Sequence, residues 1–330
     1  MKRTDPFKFG SRFLEEGDNV FEFNAWDHVM PDQSYFDFAE KQYAAQRENP
    51  VNEFDKARFN SEPEKWWNKF YSNNTSNFFK NRKWLQQEFP ILSRLTSKDA
   101  GEARILEIGA GAGNTAFPIL SANENDDLFL FAYDFSKKAV DLIKANSDYD
   151  ASKISAENWD VAGDSVPPGI DDESIDVVLM VFIFSALSPQ QWRSAVMNIW
   201  RVLKPGGEVC FRDYARGDLT QVRFKKGRLL DDNFYIRGDG TRVYFFEEEQ
   251  VRAIWTQPWN KECSNVKGEF PSDQKSETEH SPMQVDSPAS LFDVVDLGVD
   301  RRMLVNRQKQ LKMYRCWLQG SFRKNCTTAG

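Results

Sequence analysis

The chain has 330 residues, 40% of them apolar and 28% charged, with a formal net charge of −7. This length suits one full hydrophobic core with extensions, and the acidic balance argues against a nucleic-acid binder unless the cations are segregated. Two histidines, His28 and His280, and four cysteines, Cys210, Cys263, Cys316 and Cys326, without CxxC spacing provide no metal-ligand cluster, so no metal is expected.

Four zones follow one another along the chain. Residues 1–100 form an aromatic and charged N-terminal extension, expected to contribute to a cofactor pocket and to RNA binding. The opening MKRTDPFKFGSRFLEEGD lacks the apolar centre of a signal peptide, and no apolar run is of bilayer length. A cytoplasmic setting is the expectation, with the nucleus as a further location and no membrane partner. Residues 101–256 alternate apolar runs with helical patterns, the mark of βαβ units around a parallel sheet. RILEI, LFLFAY, ISAENWD, IDVVLMVF and GEVCFRDY read as strands. Helices are expected at Asn114 to Ser121, at Ser136 to Asn146 with Ser136 as N-cap, and at Pro189 to Leu203, where the turn KPGG ends the helix. Residues 257–290, dense in Ser, Pro, Glu and Asp, read as a disordered insertion, and 291–330 as strands completing the sheet.

The chemistry is concentrated at strand ends. In RILEIGAGAGNTAF, Gly109, Gly111 and Gly113 lie between a strand and a helix, where missing side chains let a cofactor approach the backbone. The same residues match a dinucleotide pattern from Gly111, so a nicotinamide cofactor stays open at this point. Asp134 ends the second strand and can accept from ribose hydroxyls in either cofactor. Three features discriminate. Glu107 precedes the glycines, where it orders their loop or meets a cationic group. Asp160 ends the third strand, where a carboxylate can receive an adenine amino group while Val161 covers the ring. KPGG running straight into a strand is typical of class I methyltransferases. Together they point to an α/β fold with a Rossmann-like, seven-stranded, mostly parallel sheet, helices on both faces and an N-terminal helical extension, using S-adenosylmethionine.

The segments KWWNKFYSNNTSNFFKNRKWLQQEFP, LEIGAGAGN, AYDFSKKAV, VLKPGGEVCFRDYARGD, DNFYIRGDGTRVYFF and LVNRQKQLKMYRCWLQGSF resemble one family. This is the eukaryotic tRNA N3-methylcytidine methyltransferases, which modify position 32 of the anticodon loop. FGSRFLEEGDNVFEFNAWDHV resembles the branch acting on threonine tRNA. The resemblance implies that Trp67 and Tyr71 close over S-adenosylmethionine, that Gly109 lines its loop, that Asp134 and Asp160 hold ribose and adenine, and that Val181 lies beneath the adenosine. It also implies tRNA as partner; whether an aminoacyl-tRNA synthetase or another RNA-binding protein is needed as well stays open.

Cytosine N3 has an in-plane lone pair and no proton to lose, so no catalytic base is expected. Asp213 in FRDY is the candidate for stabilising the developing positive charge; a salt bridge to Arg212 or Arg216 is its other reading. For RNA, the candidates are Phe78, Phe79 and Trp84 interleaved with Lys80 and Arg82, then Arg223 and Lys225, then Arg237 and Arg242 in a hairpin loop. The strip beginning Arg301, Arg302, Arg307 and Lys309, with no acid after Asp300, completes them. A protein or small-molecule acceptor, or a noncatalytic RNA-binding adaptor, are the competing functions.

Overall fold

The computed structural model describes residues 12–76, 78–257 and 290–326; the expected insertion lies almost wholly outside them. The chain opens with a short strand β1 (Ala25–Asp27). Helices α1 (Gln33–Arg47), α2 (Glu53–Ser61) and α3 (Pro63–Asn74) follow, then two short ones, α4 (Leu85–Glu88) and α5 (Pro90–Leu95). Their starts are chemically marked. Asp32 and Asn52 each accept from the N–H of the third helical residue, and Pro63 and Pro90 stand in first turns, where a missing N–H costs nothing.

The α/β region runs β2 (Ala103–Ile108), α6 (Ala116–Ser121), β3 (Leu128–Tyr133), α7 (Lys137–Lys144), β4 (Ile154–Ser155), β5 (Ile175–Val181), α8 (Pro189–Val202), β6 (Leu203–Tyr214) and α9 (Leu219–Val222). A small antiparallel sheet, β7 (Leu229–Asp231), β8 (Phe234–Ile236) and β9 (Arg242–Tyr244), precedes α10 (Glu248–Thr256). The strands β10 (Phe292–Asn306) and β11 (Leu311–Lys324) form a long hairpin.

The main sheet has the order β1-β10-β11-β6-β5-β2-β3-β4. From β6 to β4 every neighbour is parallel, and from β1 to β6 every neighbour is antiparallel. Eight strands stand where seven were expected, because β1 pairs with β10, placing Trp26 opposite Met303. The central strands are continuous apolar runs because both their faces are covered. Leu106, Val178, Met180 and Phe211 pack towards Trp192, Val196 and Trp255 on one face, and Ile105, Val177, Leu179 and Cys210 towards Leu92, Ile119 and Ile143 on the other.

Two expectations shift. The run ISAENWD pairs as a strand only at Ile154–Ser155 and then meets Asp134 through a single bridge at Asn158. KPGG is a bulge inside β6: the register with β5 jumps from Ile175↔Leu203 to Val177↔Glu208. Gly206 has φ +77°, and a Cβ on Gly207 would lie 2.9 Å from the Lys204 carbonyl oxygen, so glycine is required at both. The chain there leaves α8 at Val202 and enters the strand at Leu203 with no intervening turn. The consequence for function is that β2, β3, β5 and β6 all end at one edge of the sheet, under α3 and the β8–β9 turn.

Candidate active site

At that edge lies a cavity of about 420 Å³, a size suited to a small organic ligand. Its floor is the loop after β2. Gly109 and Gly111 have φ of +68° and +60°, and a Cβ on Gly109 would lie 2.3 Å from Ile183 Cγ1, so only glycine passes between the strand ends. A Cβ on Gly111 would lie 2.6 Å from the Tyr71 hydroxyl. Asp134 at the end of β3 holds this floor: its Oδ2 accepts from Gly111 N–H at 2.9 Å and its Oδ1 from Ser136 N–H at 2.8 Å. Burial pushes its carboxyl up to about 6 against the opposing effect of those two amides. Asp160 Oδ1 accepts from Ala162 N–H at 2.9 Å, which fixes the turn after β4. Val161 and Val181 give the cavity an apolar lining between these carboxylates.

Of the residues assigned to a cofactor, Trp67, Tyr71, Gly109, Gly111, Asp134, Asp160, Val161 and Val181 line the cavity together; Glu107 and Gly113 do not. Gly113 serves packing, since a Cβ there would lie 2.4 Å from the Phe117 ring. Glu107 is 1% exposed, with Arg82 Nη1 at 3.9 Å from its Oε1. Burial pushes its carboxyl up to about 7, with Arg82, Thr115 and the Ala116 N–H at the start of α6 opposing the shift. Asp213 is a correction too. It is fully buried outside the lining, its Oδ2 accepting from Ser185 N–H at 2.8 Å and its Oδ1 from Tyr214 N–H at 2.8 Å, and burial raises it to about 6. It pairs with neither arginine proposed for it: Arg212 bonds to Asp300 and Gln319, and Arg216 to Glu247 and Glu40. Its carboxylate is spent on those two amides, and the cavity-lining Arg237 opposes its upward shift.

The RNA candidates divide similarly. Phe78, Phe79, Lys80, Arg82, Trp84, Arg237 and Arg242 line the cavity, whereas Arg223, Lys225, Arg301, Arg302, Arg307 and Lys309 do not. Arg82 is a half-buried strut: Nη1 donates to Thr115 Oγ1 at 2.7 Å. Arg242 is 5% exposed, braces Asn60 and Gln191 at 3.2 and 3.0 Å, and burial lowers it to about 10. Arg302 is taken by Asp27, 2.6 Å away.

Sequence reasoning missed Phe135, Trp159, Phe182, Ile183 and Tyr214, all of which line the cavity. Phe182 has φ +62°, a region that strains any bulky residue. Position alone marks Phe135, Phe182, Ile183 and Tyr214, each within two residues of a strand end, whereas Trp159 lies four residues past β4.

A glycine loop that only backbone can fill, a buried acid after β3 and a half-buried one in the turn after β4, and apolar side chains beside them fit an adenosine with a short charged arm. The strand order and this site define a class I, S-adenosylmethionine-dependent methyltransferase. Residues 106–209 match the family model described as a methyltransferase domain. The chain is 46% identical over 316 residues to the tRNA N(3)-methylcytidine methyltransferase trm140 of Schizosaccharomyces pombe, covering 96% of this chain and 92% of that one. It is also 46% identical over 322 residues to the tRNA(Thr) (cytosine(32)-N(3))-methyltransferase of Saccharomyces cerevisiae, covering 97% of this chain but 46% of that protein's length. The tRNA N(3)-methylcytidine methyltransferase Mettl2 of Drosophila melanogaster is 36% identical, covering 98% and 90%. The chain belongs to the tRNA N3-methylcytidine methyltransferase family.

Proposed function

We propose that this enzyme methylates N3 of cytidine 32 in the anticodon loop of threonine tRNA. The observation that carries the reading is near full-length likeness to relatives named for this chemistry, coupled to a cavity with cofactor-fitting residues and an aromatic wall. Gly109 and Gly111 would hold the cofactor through their backbone, Asp134 and Asp160 through ribose and adenine, with Val161 and Val181 against the adenosine. When bound, S-adenosylmethionine supplies an electrophilic methyl group. Trp67, Phe70 and Tyr71 of α3 line the cavity. N3 reacts through its own lone pair and releases no proton, so the residues have to align rather than ionise the acceptor.

The test is to incubate the purified chain with labelled S-adenosylmethionine and total tRNA, with and without cell extract, and to identify the nucleoside by mass spectrometry. N3-methylcytidine at position 32 of threonine tRNA is expected. Product only with extract establishes a required partner, such as a synthetase or another RNA-binding protein. No product under either condition overturns the reading.

A further inference from the structure

The cavity extends beyond the residues that fit a cofactor. Gly109, Gly111, Asp134, Asp160 and Val161 occupy its side over β2, β3 and β4. The lining at the ends of the neighbouring strands β5 and β6 includes Phe182 and Tyr214, and the β8–β9 turn contributes Arg237.

There two half-buried rings form one wall: the centroids of Phe182 and Tyr214 are 5.0 Å apart at an interplanar angle of 45°. Each has a guanidinium beside it, Arg82 at 5.7 Å from the Phe182 centroid and Arg237 at 5.6 Å from that of Tyr214. Both cations are fixed, Arg82 by Thr115 and Arg237 by the Arg242 carbonyl oxygen at 3.2 Å. The backbone at Phe182, with its positive φ, would favour glycine. What that position supplies is therefore the phenyl ring. By contrast the rings of Phe78 and Phe79 pack on each other at 4.9 Å and on Phe70 at 4.9 and 5.8 Å, an aromatic cluster belonging to the α3 side.

We propose that Phe182 and Tyr214 form the seat on which the unpaired acceptor pyrimidine stacks, bordered by the Arg82 and Arg237 guanidinium groups. The assignment rests on the acceptor being a cytosine, as above. A flat neutral base needs a π-face to replace the neighbours it leaves in the loop, and this wall provides one next to the cofactor side.

The test uses a threonine-tRNA anticodon stem-loop and the variants Phe182→Leu and Tyr214→Leu, which keep apolar bulk and lose the ring. Three quantities are measured: S-adenosylhomocysteine affinity by calorimetry, single-turnover methylation at saturating RNA, and quenching of a pyrrolocytosine placed at position 32. Each variant is expected to methylate at least about tenfold more slowly and to quench less. S-adenosylhomocysteine affinity should stay within about twofold, which also reports a folded protein. Tyr214→Phe, which keeps the ring, is expected to lose several-fold less rate than Tyr214→Leu. Wild-type rate in both leucine variants, or S-adenosylhomocysteine affinity falling in parallel with rate, overturns the seat. A wild-type protein that leaves the stem-loop and intact threonine tRNA unmethylated both alone and with cell extract overturns the parent reading, and the seat with it.

Discussion

Asp134, Glu107 and Asp213 are all buried acids at strand ends, and what surrounds each carboxylate separates their roles. Asp134 is bound by two amides of the loop it organises yet still faces the cavity. Its carboxyl is raised to about 6, and ribose hydroxyls donate best to the ionised form. S-adenosylhomocysteine should therefore bind several-fold more weakly at pH 5 than at pH 7.5. Asp134→Asn turns an NH₂ towards one of those N–H donors, and should weaken binding about tenfold and flatten the pH dependence. Calorimetry at both pH values checks this; an unchanged affinity in the variant would remove Asp134 from the site. Glu107 titrates outside the lining. Burial makes the folded chain hold this proton up to about pH 7, against 4.5 for the free group, so the stability it contributes is fullest below 4.5 and is lost as pH rises to 7. Glutamine does not titrate. The stability of Glu107→Gln relative to wild type should therefore rise between pH 5 and pH 8, by up to on the order of 3 kcal/mol, in denaturant titrations at the two values.

At the scale of elements, the site depends on how α3 is held. Asn68 Oδ1 accepts from Ser136 Oγ at 2.8 Å and from Lys138 N–H at 3.2 Å, tying the helix that carries Trp67 and Tyr71 to the start of α7, just after Asp134. On its other side a Cβ at Gly240 would lie 2.2 Å from the Trp66 ring, so the β8–β9 turn packs its bare backbone on α3. Asn68→Ala should loosen this helix: amide hydrogen exchange in α3 should speed up, and S-adenosylhomocysteine should bind several-fold more weakly with little change in global stability. Exchange unchanged from wild type would show that the packing on Gly240 suffices. Legibility follows the same physics. The strands β2, β3 and β5 are readable because burial on both faces demands uninterrupted apolar runs, and α8 because Pro189 stands in the first turn of an amphipathic stretch. β1 was not readable: Ala25–Asp27 is three residues with no pattern of its own, made a strand by the β10 edge. Asp134 follows the end of β3 and lines the cavity as the strand pattern implied, whereas Asp160 lines it from the turn five residues past β4. Glu107 and Asp213 lie outside the lining, because sequence shows that an acid ends a strand but not which way it faces.

For the whole molecule, the question is how a chain of net charge −7 holds an RNA. β11 first pairs with β6 at Trp317↔Tyr214, where β6 ends at the cavity. The residues Leu311–Cys316 before that point, with their β10 partners, carry the hairpin about 20 Å further at roughly 3.3 Å per residue. Its end carries exposed Arg307, Lys309 and Lys312. Arg302 and Arg315, lower on the same hairpin, are occupied by Asp27 and Asp218 at 2.6 and 2.8 Å. The basic strip thus separates into a tip that can reach phosphates and a base that holds the hairpin to β1 and α9. Replacing Arg307 and Lys309 together by glutamine should weaken tRNA binding and lower the slope of log K against log salt by about 1 to 2, with S-adenosylhomocysteine affinity unaltered. Arg302→Ala should behave in the opposite way. It leaves the Asp27 carboxylate, 2% exposed, without its ion-pair partner, and should cost about 3 kcal/mol of stability with the salt slope unchanged. Filter binding across a salt series and denaturant unfolding on the same preparations distinguish the two. A salt slope that falls equally in both would mean that Arg302 leaves Asp27 for the RNA and that the strip acts as one surface.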